Sequence, residues 1–159
     1  MTNDSFIASF AHSGGKSKKQ GNLFYKGDTL YSYGYHFPLL KKYGIYYLFN
    51  PTYYSSTTQR HQSDVRSQYR SLLIHTPNCN MENFHPYHLE LIKNQLEKLK
   101  RCIRLDTHMG HLELLLHNYQ KQCYLADVAP EISFDGNLVE WVLEQTPEFK
   151  TKLVKHQLR

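Results

Sequence analysis

Between Tyr53 and Arg66 the chain reads Tyr53-Tyr54-Ser55-Ser56-Thr57-Thr58-Gln59-Arg60-His61-Gln62-Ser63-Asp64-Val65-Arg66. Hydroxyls that open a helix carrying Arg and His could hold a phosphate. Arg60 and Arg66 could stabilise a phosphorane while His61 moves a proton, which would be metal-independent phosphodiester chemistry. The same residue types suit a partner-binding surface, because Tyr and Arg dominate protein hot spots. Two features weigh against catalysis. Thr57 and Thr58 are ordinary helix caps, and His61 with Val65 falls on the face that should pack inward. Carboxylates for metal or base work are scarce, since only Asp4, Asp28 and Asp64 precede Glu82.

Other chemical motifs fail on spacing. Gly14-Gly15-Lys16-Ser17 imitates the end of a phosphate-binding loop, but the first glycine of that motif would fall at Phe10. His85/His88, His108/His111 and His111/His117 lack the Cys pair or Glu that zinc sites use. No metal and no cofactor is expected. Cys79, Cys102 and Cys123 form no Cys-x-x-Cys pair, and the start Met1-Thr2-Asn3-Asp4-Ser5-Phe6 has no basic leader. This reads as a protein of a reducing cytoplasm. No apolar run approaches the roughly 20 residues of a membrane helix, so no membrane partner is expected.

Charge and aromatic residues are unevenly placed. Residues 1–80 carry nine Lys/Arg against three acids, whereas residues 81–159 carry ten against eleven. Ten of the 13 tyrosines lie in the first half. A basic, tyrosine-rich half suits phosphate contacts and base stacking as well as protein docking. The candidate partner-binding residues are Tyr33, Tyr35, Lys41, Lys42, Tyr53, Tyr54, Arg60, Arg66 and Arg70. Collectively, Tyr31, Tyr33, Tyr35, Tyr43, Tyr46, Tyr47, Tyr53 and Tyr54 exceed what one face of a small sheet can bury, so some should be exposed at a binding surface.

The elements that must position these residues read as α+β. Residues 1–21 have the composition of a flexible arm. Residues 22–26 and 29–34 form a hairpin across Gly27-Asp28, and Ile45–Phe49 is the most buried strand, antiparallel to its neighbour. The expectation is a small antiparallel sheet of about three strands with a following helix. That helix runs from Gln59 to about Ser71, capped by Ser56, Thr57 or Thr58, with Arg60 paired to Asp64 and with Arg66 and Arg70 uncompensated.

From residue 83 the period changes to that of helices. Leu89, Ile92, Leu96, Leu99 and Ile103 make one amphipathic helix. A break at Asp106–Gly110 precedes a second, carrying Leu112, Leu115, Leu116, Tyr119 and Cys123. The simplest arrangement is a helix hairpin, although the same seam could seed a homodimer. A short helix near Asn137–Gln145 and a last one capped by Thr146 complete a helical region over 83–159 that packs with residues 22–75 as one compact unit.

The succession Leu30-Tyr31-Ser32-Tyr33-Gly34-Tyr35-His36-Phe37-Pro38, then Asn50, then Tyr54-Ser55-Ser56-Thr57-Thr58-Gln59-Arg60-His61-Gln62 with Val65-Arg66, resembles an uncharacterised domain that recurs in phage and plasmid proteins. The resemblance covers about residues 22–71. Small phage-associated chains with such a module and an unrelated helical part are similar to anti-CRISPR proteins that inhibit type II-A Cas9. That likeness implies stoichiometric binding to the Cas9 of a bacterial host, with no catalytic residues to carry over. Because the distinctive half is basic, it implies obstruction of a nuclease-domain rearrangement or of cleavage rather than mimicry of the PAM DNA that Cas9 arginines read. A nucleic-acid-binding module using Arg60, Arg66, Arg70 and exposed Tyr is the alternative, and a metal-independent nuclease the third.

Overall fold

In the computed structural model, which describes residues 1–157, the chain divides into two compact units, Met1–Phe84 and His85 onward. The first is built on a six-stranded sheet in the sequential order β1-β2-β3-β4-β5-β6. Its strands are β1 Lys18–Gln20, β2 Leu23–Lys26, β3 Thr29–Ser32, β4 Pro38–Tyr43, β5 Tyr46–Phe49 and β6 Leu73–His75. Helix α1 (Asn3–Phe10) precedes the sheet, and α2 (Ser56–Tyr69) connects β5 to β6.

The sheet is mixed, which overturns the expectation of about three antiparallel strands. All neighbours are antiparallel except β5 and β6. The parallel pair follows from α2, because only a long crossover can return the chain to the same end of the sheet. The three strands missed in the sequence are β1, β4 and β6. β1 and β6 are three residues each, too short to display a period. β4 starts at Pro38, beside a register shift at Leu30/Tyr31 that breaks its alternation. A proline is tolerated there because a bulged strand start needs no ladder N–H. The hairpin across Gly27-Asp28 forms as read, with Lys26 opposite Thr29 and Gly27 at φ +63°. Ile45, expected inside β5, stands exposed in the β4–β5 turn beside Gly44.

Residues 1–21 are not a featureless arm. Thr2 caps α1 by accepting from Ser5 N–H, and Phe6, Ile7 and Phe10 are fully buried. They join Leu23, Tyr25, Leu30, Leu40, Phe49 and Leu73 from the sheet and Val65 and Tyr69 from α2 in one core. Tyr69 Oη also donates to Ile7 O at 2.7 Å. An eight-residue helix is marginal in isolation, so only this packing makes it helical.

In the second unit, α3 (Phe84–Arg101), α4 (Leu105–Ala126), α5 (Leu138–Gln145) and α6 (Lys150–Gln157) follow in order. The α3–α4 break lies at 102–104, before the expected Asp106–Gly110. Gly110 is inside α4, where its Cβ position is open and its cost relative to Ala is about 1 kcal/mol. Ile103, expected on the seam, is 94% exposed because α3 has already ended. That end is closed by Lys152, whose ammonium donates to Leu99 O at 2.6 Å and Cys102 O at 2.9 Å. Such a cation suits the negative end of a helix dipole. Ile92 and Leu99 of α3, with Met109, Leu112, Leu116, Tyr119 and Cys123 of α4, are buried. Gln95 ties the pair by donating to His108 O.

A candidate binding surface on the N-terminal unit

The hydroxyl, Arg and His motif divides into a buried half and an exposed half. Ser55, not Ser56, Thr57 or Thr58, caps α2, accepting from Thr58 N–H at 3.1 Å. Thr58 and His61 are turned inward against β3, where Ser32 Oγ lies 3.1 Å from Thr58 Oγ1 and 2.8 Å from His61 Nδ1. The neighbouring Gln62 amide donates to Asn50 O and Thr52 O. Asn50 in turn donates to Pro38 O at 2.9 Å. Burial pushes the His61 pKa below its ordinary value of 6.5. With His61 only 3% exposed, the imidazole is a neutral cross-link between strand and helix and does not face solvent beside Arg60 and Arg66. The expected phosphodiester constellation is therefore not assembled.

The remaining predicted residues separate into three places. Tyr33, in the β3–β4 connection, and Tyr53 and Tyr54, just before α2, are exposed, Tyr53 by 65%. Tyr54 is the hub, with its ring 6.2 Å from Tyr33, 5.4 Å from Phe37 and its hydroxyl 2.9 Å from His36 Nε2. Tyr33 holds this arrangement at φ +72°, a left-handed conformation that is unfavourable for a bulky side chain. Arg60 is exposed within α2.

Arg66 and Arg70 are exposed, as expected, and Lys42 is half-buried, and each also makes a contact within the fold. The Arg66 guanidinium sits 5.0 Å above the Phe49 ring. Arg70 lies at the α2 C-terminus with φ +27°, its Nε donating to Ser67 O at 3.0 Å. Lys42 donates to Ser13 Oγ at 3.0 Å and lies 5.1 Å above Phe10, on the core side of the sheet. Asp64 is not paired with Arg60. Ion pairs form between Lys100 and Glu97 and between His117 and Glu113. Burial and the neighbouring Asp4 raise the Asp64 pKa instead.

Lys41 and Tyr35 belong to the outer sheet face, whose other members the sequence reading missed. Alternation and register put Lys19, Phe24, Tyr31 and Pro38 in one row across β1–β4, and Lys26, Thr29, Lys41 and Leu48 in the next. Phe24 and Tyr31 stack at 4.9 Å and 15°, and Tyr35 meets both edge-on at 5.0 Å. Cys79 covers the β4–β5 side of this face, its thiol 3.3 Å from Leu48 O and pushed up to about 12 by burial. The signal that could have found this face is the alternation of β2 and β3. It places Leu23, Tyr25 and Leu30 on one side and Phe24, Lys26 and Tyr31 on the other.

Among the described residues no group of three or more His, Cys, Asp or Glu could hold a metal ion. No helix there is long and apolar enough to cross a membrane. Against known proteins, no family model, no curated protein and no solved structure matches this chain.

Proposed function

We propose that the protein acts by stoichiometric binding to a macromolecule rather than by catalysis, and that it is a mobile-element inhibitor whose partner is a type II-A Cas9 of a bacterial host. The observation that carries the binding part is the exposed Tyr33, Tyr53 and Tyr54 patch, with Tyr33 retained in a backbone conformation that glycine would adopt without cost. Strain kept at an exposed aromatic residue is a mark of functional use. Tyr rings supply large contact area at low entropic cost, and Arg60 adds a charged contact.

The choice of partner rests on the likeness of residues 22–71 to the phage and plasmid domain and of the whole chain to small Cas9 inhibitors. The net charge of residues 1–80, nine Lys/Arg against three acids, favours docking on a nuclease domain or other moving part, since a mimic of PAM DNA would be acidic. Mixing the purified protein with type II-A Cas9 proteins, with and without guide RNA, tests it by size-exclusion chromatography and a DNA-cleavage assay. A co-eluting complex that blocks cleavage, and that is lost in Tyr54→Ala, is expected. Failure to form a complex with any of them sinks the Cas9 assignment.

A further inference from the structure

We infer that the outer face of strands β1–β4 is a binding platform for single-stranded nucleic acid. The inference does not rest on the Cas9 reading, and of that patch only Tyr33 touches the platform, as a lining residue of the larger groove.

The argument begins with Tyr35. Its ring is braced edge-on by both Phe24 and Tyr31 at 5.0 Å, yet 62% of the residue is exposed. A ring held this firmly and left open offers a stacking surface whose ordering cost is already met in the fold. Tyr35 also stands between two grooves. One, of about 780 Å³, is lined by Lys19, Lys26 and Phe24, and the other, of about 560 Å³, by Tyr31 and Lys41. A chain crossing Tyr35 would therefore meet lysine ammonium groups on both sides.

The combination selects the ligand. Aromatic rings that accept planar faces, flanked by cations that accept phosphates, fit unstacked bases on a single strand. A duplex keeps its base faces stacked internally and has nothing to offer Tyr35. A protein partner fits less well, because Lys is depleted from protein interfaces, and every cation on this platform is a lysine. Asp28, at the β2–β3 turn, is the acid nearest these lysines in sequence, and its carboxylate accepts from Thr29 Oγ1 at 2.8 Å. The net charge offered to a strand remains positive.

Fluorescence anisotropy with labelled oligo-dT and oligo-U of about 15 nucleotides, a length within the range one small domain covers, tests the platform. Saturable binding at low salt is expected, weakening with a log–log salt slope of about −2, as about three neutralised phosphates would give on single strands. Tyr35→Ala and Lys26→Glu should each weaken binding about tenfold or more, Lys26→Glu with the wild-type melting temperature and Tyr35→Ala with its cooperative unfolding transition retained. Arg60→Ala should leave it unchanged. Preference for dT assigns the site to DNA and preference for U to RNA, and either supports the platform. It is overturned if neither oligonucleotide binds at low salt, if a blunt duplex binds more tightly, or if Tyr35→Ala binds as well as wild type. It is equally overturned if Tyr35→Ala abolishes only a Cas9 complex, which would give the face to a protein.

Discussion

The hydroxyl of Ser32 on β3 lies 2.8 Å from Nδ1 of His61 on α2, joining two residues 29 positions apart in a fully buried contact. With Thr58 as the third member, this contact sets where α2 begins against the sheet and hence where Tyr33 and Tyr54 meet. Replacing Ser32 by Ala leaves a buried imidazole nitrogen without its partner, a loss of about 1–3 kcal/mol. Urea unfolding should show that loss with an unchanged m-value. A cost within error would mean that the contact does not hold the helix.

The same imidazole predicts how stability depends on pH. Burial lowers the folded pKa of His61 below 6.5, so the unfolded chain takes up the proton first as pH falls. The stability due to neutral His61 is fully present above the unfolded value and is lost as pH falls through the folded one. Melting temperature should decline below about pH 6.5, the ordinary His value, and His61→Gln should remove part of that decline. Identical pH profiles for the two proteins would contradict the assignment.

Asp64 acts in the opposite sense. Burial and Asp4 raise its folded pKa above 3.8, so its favourable contribution is present below the unfolded value and lost as pH rises through the folded one. At neutral pH, two carboxylates between α1 and α2 are left in repulsion. Asp64→Asn is therefore expected to raise the melting temperature at pH 7, with the gain vanishing near pH 3. A variant less stable than wild type at pH 7 would mean that Asp64 has a compensating partner.

Arg60 and Arg66 are six residues apart on α2 and should behave differently. Both are exposed, but the Arg66 guanidinium stacks above Phe49, and removing it is expected to cost about 0.5–1 kcal/mol of stability, the range for an exposed cation–π pair. Arg60→Ala, at an exposed position, should change stability by no more than about 0.5 kcal/mol but weaken partner binding. Chemical denaturation and a binding titration on both variants separate the two roles.

Deleting residues 1–12 removes Phe6, Ile7 and Phe10 from the core. At about 1.5–3 kcal/mol for each fully buried side chain, the loss rivals the whole stability of a typical domain, about 5–15 kcal/mol. The truncated protein should lose its cooperative transition and its near-ultraviolet tyrosine signal. A truncated protein that melts like wild type would return this segment to the status of an arm.

Where the sequence was readable, a periodic or punctuated signal was strong. Gly27-Asp28 announced its hairpin, Asn137 the start of α5, and Ile92, Leu99, Leu112 and Leu116 the buried line of α3 and α4. His61 was correctly expected to face inward from its pairing with Val65. Where the reading failed, the deciding force was not local. Phe6, Ile7 and Phe10 carry an apolar stripe too short to declare a helix, and β1, β4 and β6 became strands because neighbouring edges needed partners. Lys41 and Lys42 were both candidate partner-binding residues, but a strand sends adjacent side chains to opposite faces.

Composition and patterning thus determined by themselves an α+β protein with a basic, tyrosine-rich first half and a helical remainder. These follow from residue counts and from periods of 2 and 3.6 that any backbone must respect. Only the tertiary structure decided which tyrosines and cations are offered to a ligand. Burial took His61 into the fold and strand register turned Lys42 to the core side of the sheet, while the same register assembled Phe24, Tyr31 and Tyr35 with Lys19, Lys26 and Lys41 on one open face. Cross-strand neighbours are set by pairing between distant segments, and no local pattern in the chain encodes that pairing.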